Sequence, residues 1–437
     1  MSLPIGTMVE VLATAMFVVM GSYMVLMLIL SRRRRRWPTD NRVPGFAYYF
    51  IVPALNEAKV IANTVRSLLA ISTDQSVTIL VVDDGSDDGT ADVVRSIAAP
   101  NVLLVERTLP NARQGKGEVL NCAYRLIRAN ADSRGLRHDV VIVGIVDADG
   151  RLQSDVLDSI GEAFTDPLTG GAQIQVRIIN RGSGWLARCQ DYEFLTFSTF
   201  VQNAREHLGS VGLGGNGQFT RLSALDEFGD EPWTDCLTED LDLGIRFALN
   251  GWNNRFVDQT YVAQQGLTSL RRIARQRTRW MQGHFQCWKH LPAIMRSPEV
   301  STISAFDLTW YLAAPAVTLI ASLVFGLPAI LLVLAMARGT VVSGFTFDSG
   351  SIALLYLLSF GPSWLLGTIY KRQAGDISWP RTLVLVHFLT VYNYAWYVAT
   401  WRAVGRIVLR RQGWAKTQRV DDVPASATVP ASATVPA

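Results

Sequence analysis

Residues 11–30 (VLATAMFVVMGSYMVLMLIL) carry no charge, and five consecutive arginines, Arg32–Arg36, follow almost at once. About 20 apolar residues in a helix cross a hydrocarbon core, so this run limits the fold more than any other feature. Basic residues stay on the cytoplasmic side, which puts residue 1 outside and residue 40 onward inside. A cleaved signal peptide fits poorly, because the basic residues come after the apolar run and no small-residue cleavage site follows. Three more uncharged runs come late, at 308–337, 349–370 and 382–401. The pattern predicts spanning helices over about 8–30, 308–337, 349–370 and 380–401, with Pro315, Pro328 and Pro362 tolerated where neighbours satisfy the freed carbonyls. Three late spans place the C-terminus outside. Arg402, Arg406, Arg410, Arg411, Lys416 and Arg419 crowd the last run and favour inside, so the side stays open. The tail from Val423 repeats PASATV, lacks bulky core residues and is read as disordered.

Residues 31–307 between the first and second runs are enough to bury a full core. The chain is 49% hydrophobic and 18% charged, which excludes a disordered chain, a collagen-like chain and a disulfide scaffold. A net charge of +4 is too small to argue for nucleic acid as a partner. Cys122, Cys189, Cys236 and Cys287 lie far apart without a C-x-x-C pair and read as free thiols in a reducing compartment. Tyr48–Val52, Thr78–Val82, Val102–Val105 and Val140–Val146 read as buried strands. Ala62–Leu69, Thr90–Ile97 and Gly117–Ala129 read as helices between and after them. The alternation predicts a parallel, doubly wound α/β sheet, whose ligand site lies at the carboxyl ends of the strands.

The chemistry-bearing residues fall at those ends. The first strand runs into Pro53-Ala54-Leu55-Asn56-Glu57, the second into Asp83-Asp84-Gly85-Ser86, and the fourth into Asp147-Ala148-Asp149-Gly150. Acidic groups so placed repel one another unless a cation or donors sit among them. Capping and turn formation are the bland reading of each motif alone. Asp-x-Asp offers the hard oxygen ligands that Mg²⁺ or Mn²⁺ accepts beside a diphosphate. No His/Cys cluster suggests zinc, and no Walker loop is present. Lys116, at a helix start, can meet a phosphate or a nucleoside.

Thr238-Glu239-Asp240 opens a helix over Leu241–Asn250. Thr238 can simply cap it, or a carboxylate can accept the proton of an attacking hydroxyl. Gln276-Arg277-Thr278-Arg279-Trp280 lies in a basic helical stretch from Leu270 to His290. Gln276, Arg279 and Trp280 stand at i, i+3 and i+4 and share a face. Arg271, Arg272, Arg275 and Arg277 add positive charge, as on an amphipathic helix lying on an anionic membrane surface. Arg279 can also hold a diphosphate, and Trp280 can stack on a sugar.

Taken in order, Pro53–Glu57, Asp83-Asp84-Gly85-Ser86, Asp147-Ala148-Asp149, Thr238-Glu239-Asp240 and Gln276-x-x-Arg279-Trp280 resemble the processive, membrane-bound family 2 glycosyltransferases, the cellulose, hyaluronan, chitin and capsule synthases. The resemblance covers about residues 45–290. It implies a GT-A type nucleotide-sugar-binding domain inserted between transmembrane helices: 1–43 the first helix and Arg cluster, 44–268 the cytoplasmic catalytic domain, 269–305 interfacial helices, 306–411 the late helices, and 412–437 the tail. It further implies that Asp83 or Asp84 meets the uracil of a UDP-sugar, with Ala54, Asn56, Glu57 and Lys116 beside the nucleoside. Asp147 then approaches the ribose and Asp149 the Mg²⁺ or Mn²⁺. Asp240 is the base with Glu239 beside it, and Arg279 grips the diphosphate. Asn216, in the Gly214–Phe219 loop, joins Gln276 and Trp280 at the acceptor side; a tight turn is the bland reading of that loop. The expected function is inverting, processive transfer onto a β-linked polysaccharide that also crosses the bacterial cell membrane. The alternative is a non-processive enzyme adding one sugar to a lipid. A transporter or an inactive nucleotide-sugar binder is disfavoured by the intact Asp149 and Asp240. Aromatics such as Trp310, Tyr311, Tyr392 and Trp396 can line a path or simply pack. The identity of the sugar and the oligomeric state stay open.

Overall fold

An eight-stranded sheet lies at the centre of the computed structural model, which describes residues 5–33, 45–71, 76–327 and 349–411, with positions 330, 334, 337 and 338 between. The strands are β1 (Ala47–Ala54), β2 (Ser76–Asp83), β3 (Val102–Glu106), β4 (Val141–Ile145), β5 (Arg151–Leu152), β6 (Thr169–Ile178), β7 (Gln218–Arg221) and β8 (Asn253–Gln264), in the order β3-β2-β1-β4-β7-β6-β8-β5. The four expected strands form a parallel half, β3-β2-β1-β4. Their side chains are apolar in near-continuous runs because helices cover both faces. On one face lie α2 (Ile61–Ala70), α3 (Thr90–Arg95) and α5 (Val156–Ala163); on the other lie α4 (Lys116–Ser133), α8 (Leu222–Asp226) and α9 (Glu239–Leu249). The helix α2 shows the logic: Ile61, Thr64, Val65 and Leu68, at helical spacing, are its buried residues.

The expectation of an all-parallel sheet is corrected. β7 runs antiparallel to β4 and to β6, and β5 antiparallel to β8. β7 is only QFTR, with Gln218 and Thr220 fully buried, so its polar side chains hide it from an apolar pattern. Its direction matters. Gln218 pairs with Ile145, so the loop preceding β7 lies at the edge where β4 ends. β6 and β8 run parallel to each other, and β8 ends at that edge and feeds α10 (Leu270–Cys287).

The remaining helices pack against this domain. They are α1 (Ile5–Ser31), α6 (Trp185–Thr196), α7 (Asn203–Leu208), α11 (Leu291–Ile294), α12 (Thr302–Leu312), α13 (Ala314–Ala321), α14 (Ser349–Ala374) and α15 (Trp379–Val408). Asp307, which reads in sequence as the charged edge of an apolar run, is a buried hub. It accepts hydrogen bonds from Arg205 Nε (2.7 Å), Ser210 Oγ (2.7 Å) and Tyr23 Oη (3.0 Å), tying α1, α7 and α12 together. α14 and α15 dock through an apolar cluster with α6 and α10.

Among the described residues, Val11–Ser31 and Trp379–Val408 are each long and apolar enough to cross a membrane. The expected span 308–337 is not one straight helix. α12 and the segment from Ala314 to Gly326 meet at a 47° bend, beside Pro315, which lacks the amide that would continue the ladder. Among the described residues the count is therefore two, or up to three if the bent pair is one span, where four were expected of the whole chain. Arg34–Arg36, most of 328–348 and the repeat tail lie outside the described residues.

Candidate active site

Parallel strands deliver their following loops to one edge, and the sequence clusters meet there. One cleft is lined by Ala54, Glu57, Asp84, Lys116, Asp147, Asn216, Glu239, Asp240, Gln276, Arg279 and Trp280, together with Val176, Phe194, Leu237 and Gln264. Eleven of the fourteen predicted site residues thus share one wall-to-wall space. Asn56, Asp83 and Asp149 do not line it.

Those three support the cleft from behind or beside it. Asp83 Oδ1 accepts from the Ser86 amide (3.1 Å) and from the Ser86 hydroxyl, closing the turn that follows β2. Asp84 is therefore the aspartate of the pair that faces the cleft, where Arg107 Nη1 donates to it at 2.6 Å. Burial raises the Asp84 carboxyl above its ordinary range against the pull of Arg113 and Arg107. Asn56 is exposed, at φ +53°, and exchanges hydrogen bonds with Asp87, zipping the β1 loop to the β2 loop. Asp149 is buried and accepts from the Gln265 amide at 2.9 Å.

At the cleft centre, Lys116 Nζ donates to Asp147 Oδ1 at 2.9 Å and lies 3.7 Å from Glu239 Oε1. Burial works against its charge, but Asp147, Glu239 and Asp240 outweigh burial and hold the ammonium above its usual pKa. Burial and the like charge of Glu239 push Asp240 up to about 7, while Lys116, the Leu241 amide and Arg279 pull the other way. A carboxylate tuned to that range is suited to take up a proton at neutral pH. Gly215, at φ +75°, explains the glycine loop. A Cβ there would sit 2.8 Å from Asp240 Oδ2 and 3.3 Å from Lys116 Nζ. Asn216 spans the loop, accepting from the Asp147 amide (3.1 Å) and donating to Gln264 Oε1 (2.6 Å).

The far wall is α10. Trp280 lies edge-on to Phe194 and tilted against Trp396 of α15, both at 6.1 Å between ring centroids. One expectation is corrected here. Arg277 is not part of a surface charge belt: it is fully buried, its guanidinium 3.9 Å from the Trp280 ring centre and 4.9 Å from that of Trp396. Glu193 neutralises it at 2.6 Å, and Tyr392 Oη lies within 3.4 Å. Of the other three arginines, Arg271 and Arg275 are exposed and Arg272 is half-buried. Glu193, Arg107, Phe194 and Gln264 were missed from sequence, and no local signal marks them, since each is defined only by a distant partner. Beside the cations Lys116 and Arg279, the cleft's polar lining holds carboxylates and amides and no His or Cys, and those carboxylates are the hard oxygen donors that a divalent cation accepts.

The sequence profile of the family described as glycosyltransferase like family 2 matches residues 44–283. The β-monoglucosyldiacylglycerol synthase of Trichormus variabilis is 26% identical over 374 residues, covering 84% of this chain and 75% of that enzyme. The poly-β-1,6-N-acetyl-D-glucosamine synthase of Staphylococcus aureus is 26% identical over 241 residues, covering 54% of this chain and 53% of that one. Among solved structures, a mannosyltransferase from Pyrobaculum calidifontis in complex with GDP-Man and Mn²⁺ matches with a TM-score of 0.62 at 18% identity, over 93% of this chain and 99% of that one. At that identity the likeness is one of fold.

Proposed function

Because the chain belongs to glycosyltransferase family 2, with a GT-A-like domain, we propose that it is an inverting enzyme that moves a single sugar from a UDP-sugar to the hydroxyl of a membrane lipid of the diacylglycerol kind. The observation that carries this reading is the reach of the likeness. Similarity to the glucolipid synthase extends over 84% of the chain, beyond the catalytic domain, whereas that to the polymer synthase stops at 54%. A physical reason supports it: the proposed acceptor wall, Trp280, is built against α15, which among the described residues is one of the helices long and apolar enough to span a membrane. A lipid hydroxyl presented from that side meets the cleft without leaving its bilayer.

In this reading the domain from 44 to 268 faces the cytoplasm, 269–305 lies at the interface, and α1 and α15 anchor the chain in the cell membrane. Asp84, Glu57 and Ala54 receive the nucleoside, with Asn56 and Asp83 holding their loops. Asp147 and Lys116 face the ribose and diphosphate. Asp240 takes the acceptor proton as the hydroxyl oxygen bonds to the anomeric carbon. The bond to the diphosphate breaks on the opposite face, and Arg279 stabilises the departing charge. Glu239 tunes Asp240; Asn216, Gln276 and Trp280 hold the acceptor. A Mg²⁺ or Mn²⁺ ion, with Asp149 as its protein carboxylate, would neutralise the diphosphate when bound.

The second reading is the processive polysaccharide synthase, favoured by the intact Gln276-x-x-Arg279-Trp280 motif. One assay separates them. Purified protein in nanodiscs is given a panel of UDP-sugars, Mn²⁺ or Mg²⁺ and diacylglycerol. Release of UDP with a lipid carrying one sugar supports the proposal. A high-molecular-weight product independent of diacylglycerol overturns it.

A further inference from the structure

Two cysteines that sequence leaves 51 positions apart meet behind the site. Cys236 lies three residues before Glu239, and Cys287 ends α10; their sulfurs are 3.7 Å apart. Both are buried, and Thr238 Oγ1 lies 3.6 Å from one sulfur and 3.8 Å from the other. The pair sits in the joint between the segment carrying Asp240 and the helix carrying Arg279 and Trp280. That joint has no slack. The Leu237 amide donates to Gln286 Oε1 at 2.8 Å, and a Cβ on Gly283 would fall 2.4 Å from Thr238 Oγ1.

A metal does not explain the cluster. Asp242 lies within 4.8 Å of both sulfurs, but Arg246, Lys289 and His290 already hold its carboxylate, each at 2.9 Å. A further cation would be repelled.

We propose that Cys236 and Cys287 form a reversible dithiol–disulfide site that switches the transferase off when a peroxide oxidises it. The Cys236 thiolate attacks one peroxide oxygen, the O–O bond breaks, and a sulfenic acid forms with loss of water. The Cys287 sulfur then displaces the hydroxyl as a second water, so two thiols and one peroxide give one disulfide and two waters. Hydrogen bonds within reach of Cys287 and Thr238 favour the Cys236 thiolate, which makes Cys236 the attacking thiol. Closing the bond to about 2.05 Å draws the sulfurs together by ~1.7 Å. Thr238 already fills the space where a Cβ on Gly283 would fall, so the closing bond shifts the segment and carries Asp240 with it. A misplacement of this size costs about 100-fold in rate.

The effect on transfer rests on the role proposed for Asp240; the cross-link does not. Full-length protein is treated with hydrogen peroxide and digested without reductant, with UDP release followed in parallel. The expected result is a peptide linking Cys236 to Cys287, a fall in transfer of tenfold or more, and recovery with dithiothreitol. Cys287→Ser protein should keep its transfer through the same treatment, with Cys236→Ser as the second variant if the first does not fold. Absence of the linked peptide, a linked peptide with unchanged transfer, or equal inactivation of the variants overturns the proposal. If reduced protein releases UDP from none of the UDP-sugars in the panel, the proposed function fails separately. Hydrogen exchange across Leu237–Asp242 then reads the shift, and unchanged exchange overturns it.

Discussion

At the scale of single residues, Asp240 and Arg277 make opposite demands on their surroundings. As the proposed base, Asp240 must lose its proton to act, and burial with the like charge of Glu239 pushes its carboxyl up to about 7. Below that pH the neutral acid dominates, so kcat/KM should rise with pH through an acid limb near 7 and level off above it. Glu239→Gln removes the like charge and should move the limb to lower pH. Asp240→Asn should lower transfer by about 10²–10⁴-fold while UDP-sugar binding persists. A variant turning over at the wild-type rate would exclude Asp240 as the base. Arg277, by contrast, never titrates and never meets solvent; it is the floor beneath Trp280. Arg277→Met should raise the KM for acceptor at least tenfold and leave that for donor nearly unchanged. Arg277→Lys should not rescue it, because a compact ammonium cannot lie flat between two indoles. Equal effects on both substrates would mark a general loss of structure instead. The motif carboxylates were legible in sequence because acids closing apolar strands already declare themselves. Arg277 was not, since its burial depends on Glu193 and Tyr392, 84 and 115 positions away.

Among the elements, β7 and α10 decide the site's shape. The parallel half of the sheet was readable because strands buried on both faces must be apolar. β7 was not, because its buried side chains are polar, and Thr220 and Arg221 satisfy their polarity with partners no local pattern reveals. Arg221, for instance, donates to the carbonyls of Thr169 and Phe164. The loop that β7 positions offers a direct test. Gly215→Ala combines a left-handed backbone with a Cβ 2.8 Å from the Asp240 carboxylate. It should cut transfer by about 100-fold, with little change in thermal melting. Full activity would show that the loop gives way more easily than its packing implies. The bend between α12 and α13 was equally hidden: hydropathy measures the length of an apolar run, and a run of 30 residues reads the same whether straight or folded at Ala313.

For the molecule as a whole, the apolar helices are bound into the catalytic domain, not merely tethered to it. Arg205 and Asp307 are fully or almost fully buried and face each other at 2.7 Å, with Tyr311 stacked on the guanidinium and Tyr23 of α1 closing the cluster. Removing one partner strands a buried charge. Asp307→Asn should therefore destabilise the protein by ~3–5 kcal/mol, read as a lower melting temperature in detergent. An unchanged melting curve would mean that the helices and the domain unfold independently.

The docking of α15 also sets an order in time. A ribosome delivers the chain from its beginning, and α15 is completed about 120 residues after α10, on the order of 6–24 s later. The elements that shape the half of the cleft proposed for the nucleotide, from β1 to the Arg277–Glu193 pair, have emerged by then. Tyr392 and Trp396, which close the wall behind Trp280, have not. The half of the cleft proposed for the donor is thus complete before the half proposed for the acceptor, whose wall waits for α15, the last of the described helices to be made.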